Sequence, residues 1–238
     1  MTETSELIEK IKSRGYWQIE LRPLIFKKDR LSVADCKKVV EKCQVRLRGW
    51  YYPHIGYEAG DVFSGDNFEQ GYVEWKEHCE IWRMYRSGQF IHDFSFWEDR
   101  LEYEPYGYNV RLSNGSIRHD VMNIIMTLYT VTEIFLFASR LASNSLFDKT
   151  LHVSIKLKNT NNRLLIFSDP TRMLHGTYMC KINEINIERD VSTEDIIANF
   201  ATLAMDVVVE IFEKFNWHSP DIRNVLKSDQ EKLLKGLL

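Results

Sequence analysis

Apolar positions along this chain switch several times between helical and strand-like spacing. Residues 5–13 carry a helical spacing that stops at Gly15. From Tyr16 to Leu24 (YWQIELRPL) apolar and polar side chains alternate, which predicts a strand with Pro23 at its end or on an edge. Ser32 stands where a cap belongs, and Val33, Cys36, Val39, Val40 and Cys43 form a stripe behind it, so a helix is expected through about Cys43. VRLRGWYY, residues 45–52, predicts the next strand, with a bulge allowed at Gly49 and a stop at Pro53. Residues 56–70, rich in Gly and Asp, read as a loop.

The stretch Glu80–Asp93, EIWRMYRSGQFIHD, reads as a hairpin on a two-residue Ser87-Gly88 turn. Pairing outward from that turn sets Tyr85 opposite Phe90, Arg83 opposite His92 and Ile81 opposite Phe94, all on one face. Arg83 and His92 would then meet among aromatic side chains, where polar groups are costly unless paired.

Residues 99–115 read as a connector, dividing an aromatic-rich, strand-dominated half (1–105) from a helix–hairpin–helix half (116–238) of one continuous unit. Ser116 can cap a helix running to about Ser143 that is apolar nearly all round and therefore central and buried. Asn123, several threonines and Glu133 interrupt its apolar run, which argues against a membrane span. LHVSIKLKNTNNRLLIFS, beginning at Leu151, predicts a second hairpin, with Leu151, Val153, Ile155 and Leu157 on its inner face. Ser192 begins a capping-box-like start to a helix whose stripe runs from Ile196 to Phe215. Ser219 and Pro220 open a last helix. The element order predicts an α+β fold: a mixed or antiparallel sheet built from hairpins, packed against a long central buried helix and C-terminal helices.

Composition narrows the function classes. The 238 residues carry 31 basic and 34 acidic side chains, so no global field draws the chain to DNA or an anionic membrane, and any nucleic-acid role needs a local patch. Four cysteines without a CxxC pair, and an N-terminus lacking an apolar signal core, point to a reduced cytoplasmic protein. Clean βαβ alternation, a Gly-rich phosphate loop and a GxSxG elbow are all missing from the sequence, so no cofactor and no catalytic residue is expected.

Local chemistry remains. Arg46, Arg48 and Trp50 would share one strand face, where guanidinium groups beside a flat ring suit a phosphate or a nucleobase. Lys156, Lys158 and Arg163 form a weaker basic patch. Asp61, Asp66, Glu74 and Lys76, with His78, have the residue types of a metal-dependent nuclease, at loose spacing. No histidine is paired with another ligand at helical spacing, so no metal site is expected. His78 and Glu80 do share a strand face and could hold an ion with a residue from elsewhere.

Three blocks together resemble a group of uncharacterised bacterial proteins: GYWQIELRP at 15–23, VRLRGWYYPHI at 45–55 and EIWRMYRSGQFIHDFSFWED at 80–99. They match recurring GYW…RP, RLRGW..PH and W..Y.SGQF.H patterns. The group is associated with mobile and defence-related gene neighbourhoods. The resemblance covers the first hundred residues and draws attention to Arg46, Arg48, Trp50, His54, Gln89 and His92. The expected function is a non-enzymatic binding, sensor or adaptor component, such as one of a bacterial antiviral defence system, that recognises a protein partner, a second copy of itself, or a phosphate-bearing ligand such as a nucleotide or nucleic acid. Arg46, Arg48, Trp50, His54, Arg83 and His92 are the expected ligand-binding residues. The alternatives are a metal-dependent nuclease or other hydrolase, and an obligate structural subunit.

Overall fold

A computed structural model describes residues 3–55, 62–75, 78–99, 110–111, 117–118, 120–169 and 171–238. In chain order the elements are α1 (Glu3–Lys12), β1 (Tyr16–Pro23), α2 (Val33–Cys43), β2 (Val62–Ser64), β3 (Phe68–Trp75), β4 (His78–Tyr85) and β5 (Phe90–Ser95). A 3-10 turn over Trp97–Asp99 follows, then β6 (Val110–Arg111), β7 (Ile117–Arg118), β8 (Val121–Asn123), α3 (Ile124–Ser143), β9 (Thr150–Lys158), β10 (Leu164–Ile166), β11 (Glu184–Ser192), α4 (Thr193–Glu213) and α5 (Ile222–Leu234). Seven strands form one antiparallel sheet in the order β11-β9-β1-β5-β4-β3-β2. The α+β architecture expected from the sequence is the one observed.

Alternation decides which side of each strand is buried. Trp17, Ile19 and Leu21 of β1, Trp82 and Met84 of β4, Phe90 and Phe94 of β5, and Leu151, Val153, Ile155 and Leu157 of β9 all face a single core. Helix α3 lies in that core, packed against α4, α2 and α5. It has the length and hydropathy of a membrane-crossing helix, but 72% of that apolar window is buried inside the protein. Helix α1 covers part of the opposite sheet face, burying Leu7 and Ile11 against Tyr16, Cys79 and Ile81.

Three expectations give way to different local solutions. The hairpin between β4 and β5 has a three-residue loop, Arg86-Ser87-Gly88, with Tyr85 N–H donating to the Gln89 carbonyl at 2.8 Å and Gly88 at φ +86°. A glycine in the left-handed region serves two- and three-residue loops alike, so the dipeptide alone did not fix the loop length. One extra residue shifts the register: Trp82, not Arg83, faces His92, and Arg83 faces Ile91. Since a slip of one residue reverses every side chain, Arg83 and His92 point to opposite faces of the sheet.

The second expected hairpin does not form. Both edges of β9 are taken, by β1 and by β11, so the short β10 pairs in parallel with β8 instead. Pairing with β10 draws Val121–Asn123 out of the expected helix, and α3 starts at Ile124 with Asn123 as its cap, accepting from Ile125 N–H and Met126 N–H. Ser116 lies outside the described residues, as does most of the 99–115 connector. Residues 45–52 form no strand; the chain bridges onto itself between Val45 and Tyr52 and turns at Gly49.

The caps at Ser32 and Ser192 stand where the sequence places them. Ser192 Oγ accepts from Asp195 N–H at 3.0 Å. Ser192→Ala is expected to cost about 1 kcal/mol, read as a lower midpoint in urea with an unchanged slope; an unchanged midpoint would show that the cap contributes nothing. The last helix begins at Ile222 rather than directly at Ser219, with Asp221 at its cap position.

Candidate functional site

The 46–54 loop closes over the ends of β4 and β5 and forms one wall of a cleft. Val45 and Tyr52 exchange both backbone hydrogen bonds, at 2.9 and 2.8 Å, and Gln44 Nε2 donates to the Pro53 carbonyl at 2.8 Å. The indole N–H of Trp82 holds the His54 carbonyl at 2.7 Å. That indole lies flat across its cross-strand neighbour Gly71, where a Cβ would come within 2.5 Å of the ring.

The loop splits the sequence-flagged residues among different roles. Arg46 is exposed and its guanidinium sits 5.2 Å from the centroid of the exposed Tyr51 ring. Arg48 turns inward instead. Its Nε donates to Glu133 Oε1 at 3.2 Å, its Nη2 pairs with Glu133 Oε2, and a further contact reaches Thr130 Oγ1 at 3.4 Å. The two side chains are 8% and 0% exposed, so Arg48 is a buried partner of the core helix and not a free cation. Burial pushes the Glu133 carboxyl up, and Arg48 opposes that shift. Trp50 stacks on Trp97, with ring centroids 5.5 Å apart and planes within 6°. Trp97 and Tyr51 remain more than a third exposed, so aromatic surface reaches solvent at this rim.

Two acidic residues beside Trp97 anchor the rim. Asp99 accepts from Gly15 N–H at 2.6 Å and pairs with Arg163 at 2.5 Å. Arg163 is therefore buried, which dissolves the basic patch expected with Lys156 and Lys158; Lys158 pairs with Glu184. Glu98 is 4% exposed and accepts from Asn123 N–H at 2.7 Å. Burial raises its carboxyl from the ordinary 4.5 to about 6, which makes the ionised form a liability to the fold. The penalty is absent below the unfolded value, grows through the interval and is complete above about 6. Glu98→Gln keeps a carbonyl for the Asn123 N–H. It should stabilise the protein at pH 7.5 by on the order of 2 kcal/mol, with the gain fading as pH falls toward 4.5. A gain independent of pH, measured by denaturant melts across that range, would contradict the assignment.

Beneath the rim lie His54, His78 and Glu80. Glu80 Oε2 meets His54 Nδ1 at 3.0 Å and His78 Nε2 at 2.6 Å, while Oε1 accepts from His54 N–H at 2.6 Å. Burial works to raise the Glu80 carboxyl, but the two imidazoles and their hydrogen bonds hold it well below the usual carboxylate range. His92 is fully buried on the inner side; Nδ1 lies 3.4 Å from the Tyr52 hydroxyl, and Nε2 has no hydrogen-bond partner among the described residues and lies 3.8 Å from Glu80 Oε1.

Of the six expected ligand-binding residues, Arg48, Trp50 and His54 line the cleft with Trp97, Tyr51 and Glu80. Arg46 stands at its rim against Tyr51. Arg83 lies elsewhere, donating to Gln70 Oε1 and sitting 4.3 Å from the Phe68 ring centroid. The nuclease-type set is not assembled among the described residues. Asp66 precedes β3, Glu74 stands near that strand's other end in an ion pair with Lys10 at 2.7 Å, and Asp61 and Lys76 lie outside the described residues. Sequence reasoning missed Trp97, Tyr51 and Glu133, which carry no local signal, and paired His78 with Glu80 without finding His54. No protein-family model, no curated protein and no solved structure matches the chain.

Proposed function

We propose that the protein is a recognition component that binds a ligand combining a flat ring with negative charge, as a nucleotide or single-stranded nucleic acid does, at the rim of the 46–54 cleft. The observation that carries this reading is the stacked Trp50–Trp97 pair with the exposed Tyr51 and Arg46 beside it. Aromatic faces stack on bases of any sequence, and an exposed guanidinium adds a salt-sensitive attraction to phosphate. Arg48 positions the loop through Glu133 and leaves Arg46 as the loop's cation for the ligand. The resemblance to bacterial proteins of defence-related neighbourhoods is compatible with such a sensor or adaptor. Four buried free thiols fit a reducing cytoplasm. A protein partner would find apolar surface at Leu24, Ile25 and Phe26, the last 78% exposed.

Tryptophan fluorescence during titration with a nucleoside monophosphate and with a single-stranded oligonucleotide tests the reading. Saturable quenching is expected with at least one of them. Arg46→Gln should remove the salt-sensitive part of binding with melting unchanged, because an exposed charge contributes little stability. Trp50→Ala should weaken binding at every salt concentration by about 1–3 kcal/mol. Titrations with both probes that leave the wild-type spectrum unmoved would sink the proposal.

A further inference from the structure

We infer that His54, His78 and Glu80 bind a divalent first-row transition ion of the zinc type. The three side chains offer two imidazole nitrogens and one carboxylate oxygen, and these ligand atoms all lie within 4.8 Å of one another. Bonds of about 2.0–2.2 Å at tetrahedral angles set such atoms roughly 3.3–3.5 Å apart. The observed separations of 3.0 Å for His54 Nδ1 and 2.6 Å for His78 Nε2 from Glu80 Oε2 need to open by less than about 1 Å to admit the ion. His54 sits on a loop, where such an adjustment is small, whereas His78 and Glu80 are fixed two residues apart on one face of β4.

Charge balance points the same way. Glu80 is 2% exposed, and the guanidinium of the same cleft, Arg48, is already matched by Glu133. Two imidazoles are the carboxylate's partners in the cluster, and one divalent ion among the three side chains would add a full positive charge there. On binding, each coordinating nitrogen gives its lone pair to the ion. The proton it held moves to the other ring nitrogen of a neutral imidazole, or to solvent from a charged one.

Two independent features fit a metal site better than a closed hydrogen-bond network. The first is His92, fully buried, whose Nε2 has no hydrogen-bond partner among the described residues and lies 3.8 Å from Glu80 Oε1. The second is the outer support: Glu80 Oε1 accepts the His54 backbone N–H, and the His54 carbonyl is held by Trp82, so the ligands are oriented before the ion arrives. Three protein ligands bordering a cleft leave a fourth position for water or an anion, as in reactive rather than structural zinc sites. Imidazole with carboxylate also selects zinc and its neighbours over magnesium or calcium, which take oxygen ligands.

The test uses the full chain stripped by chelator, and its readouts contain no organic ligand, so the rim proposal can fail without affecting it. Calorimetric titration with Zn2+ should show about one ion per chain, with a higher melting temperature in its presence. Co2+ in the same site should give visible d–d bands without strong sulfur-to-metal charge transfer, since no cysteine belongs to the cluster and Cys79, between His78 and Glu80, packs with Leu7 and Ile11 of α1. His78→Asn and His54→Asn should each abolish the Co2+ bands and weaken Zn2+ by tenfold or more while retaining the wild-type circular dichroism. His54 is the safer of the two for folding, standing on the loop. Absence of Zn2+ binding up to millimolar concentration, unchanged binding in His54→Asn, or a thiolate charge-transfer spectrum would overturn the site and leave a metal-free network.

Discussion

Arg48→Ala is expected to remove about 3–5 kcal/mol of folding stability, more than any other exchange in the 46–54 loop. The loss comes from leaving Glu133 uncompensated on the core helix, where its side chain is fully buried. Replacing both partners by apolar residues of similar size, Arg48→Met with Glu133→Leu, should recover most of the loss, because the buried pair itself is close to neutral. Chemical denaturation of the two single variants and the double variant measures the coupling directly. A single variant that unfolds at the wild-type midpoint would mean that the pair is hydrated and the loop loosely held. Exposed arginines on a strand face would give a different result, a loss of ligand binding with stability intact, and that outcome now belongs to Arg46 alone.

Leu128→Asp should abolish cooperative folding. Leu128 is fully buried in α3, and a carboxylate there meets apolar side chains from the sheet and from the neighbouring helices. The cost is above about 4 kcal/mol, comparable to the whole stability of many domains. Ile125→Asp, three residues earlier on the same helix, should be milder because Ile125 is only half-buried. Near-ultraviolet circular dichroism and thermal melts on the two variants distinguish them. A cooperative, wild-type-like melt of Leu128→Asp would place the core somewhere other than around α3.

Where one residue type had one structural use, the sequence could be read directly. Ser32 and Ser192 cap helices because their hydroxyls accept the free N–H groups of a first turn, and the stripes that follow have helical spacing. The alternation from Leu151 to Leu157 placed the inner face of β9 correctly. Where one residue type had two uses, the reading failed. Gly88 suits either loop length, Ser116 and Asn123 are both cap-type residues, and the β propensity of residues 45–52 does not distinguish a strand from a loop bridged onto itself. Partner choice was out of reach too, since nothing in Leu164–Ile166 says that both edges of β9 are occupied. The site shares that limit: His54 meets Glu80 across 26 residues because Trp82 grips the loop, and no spacing in the chain encodes that contact.

The strand that ends the large sheet has a consequence for behaviour in concentrated solution. Among the described residues no strand lies beyond β11, so one side of a nine-residue strand presents its N–H and C=O groups to any other chain that approaches. Unpaired edges of that length can recruit further strands and start aggregates. Here one face carries Glu184, Asn186, Glu188 and Asp190, the exposed Arg189 on the other face pairs with Glu210, and the strand runs straight into the Ser192 cap of α4. Glu184 and Asp190 pair with Lys158 and His152 of β9, and with Glu188 they would bring like charges together in an edge-to-edge pair, a repulsion that weakens in acid or high salt. Self-association through this edge should therefore rise as the pH falls or the salt concentration increases.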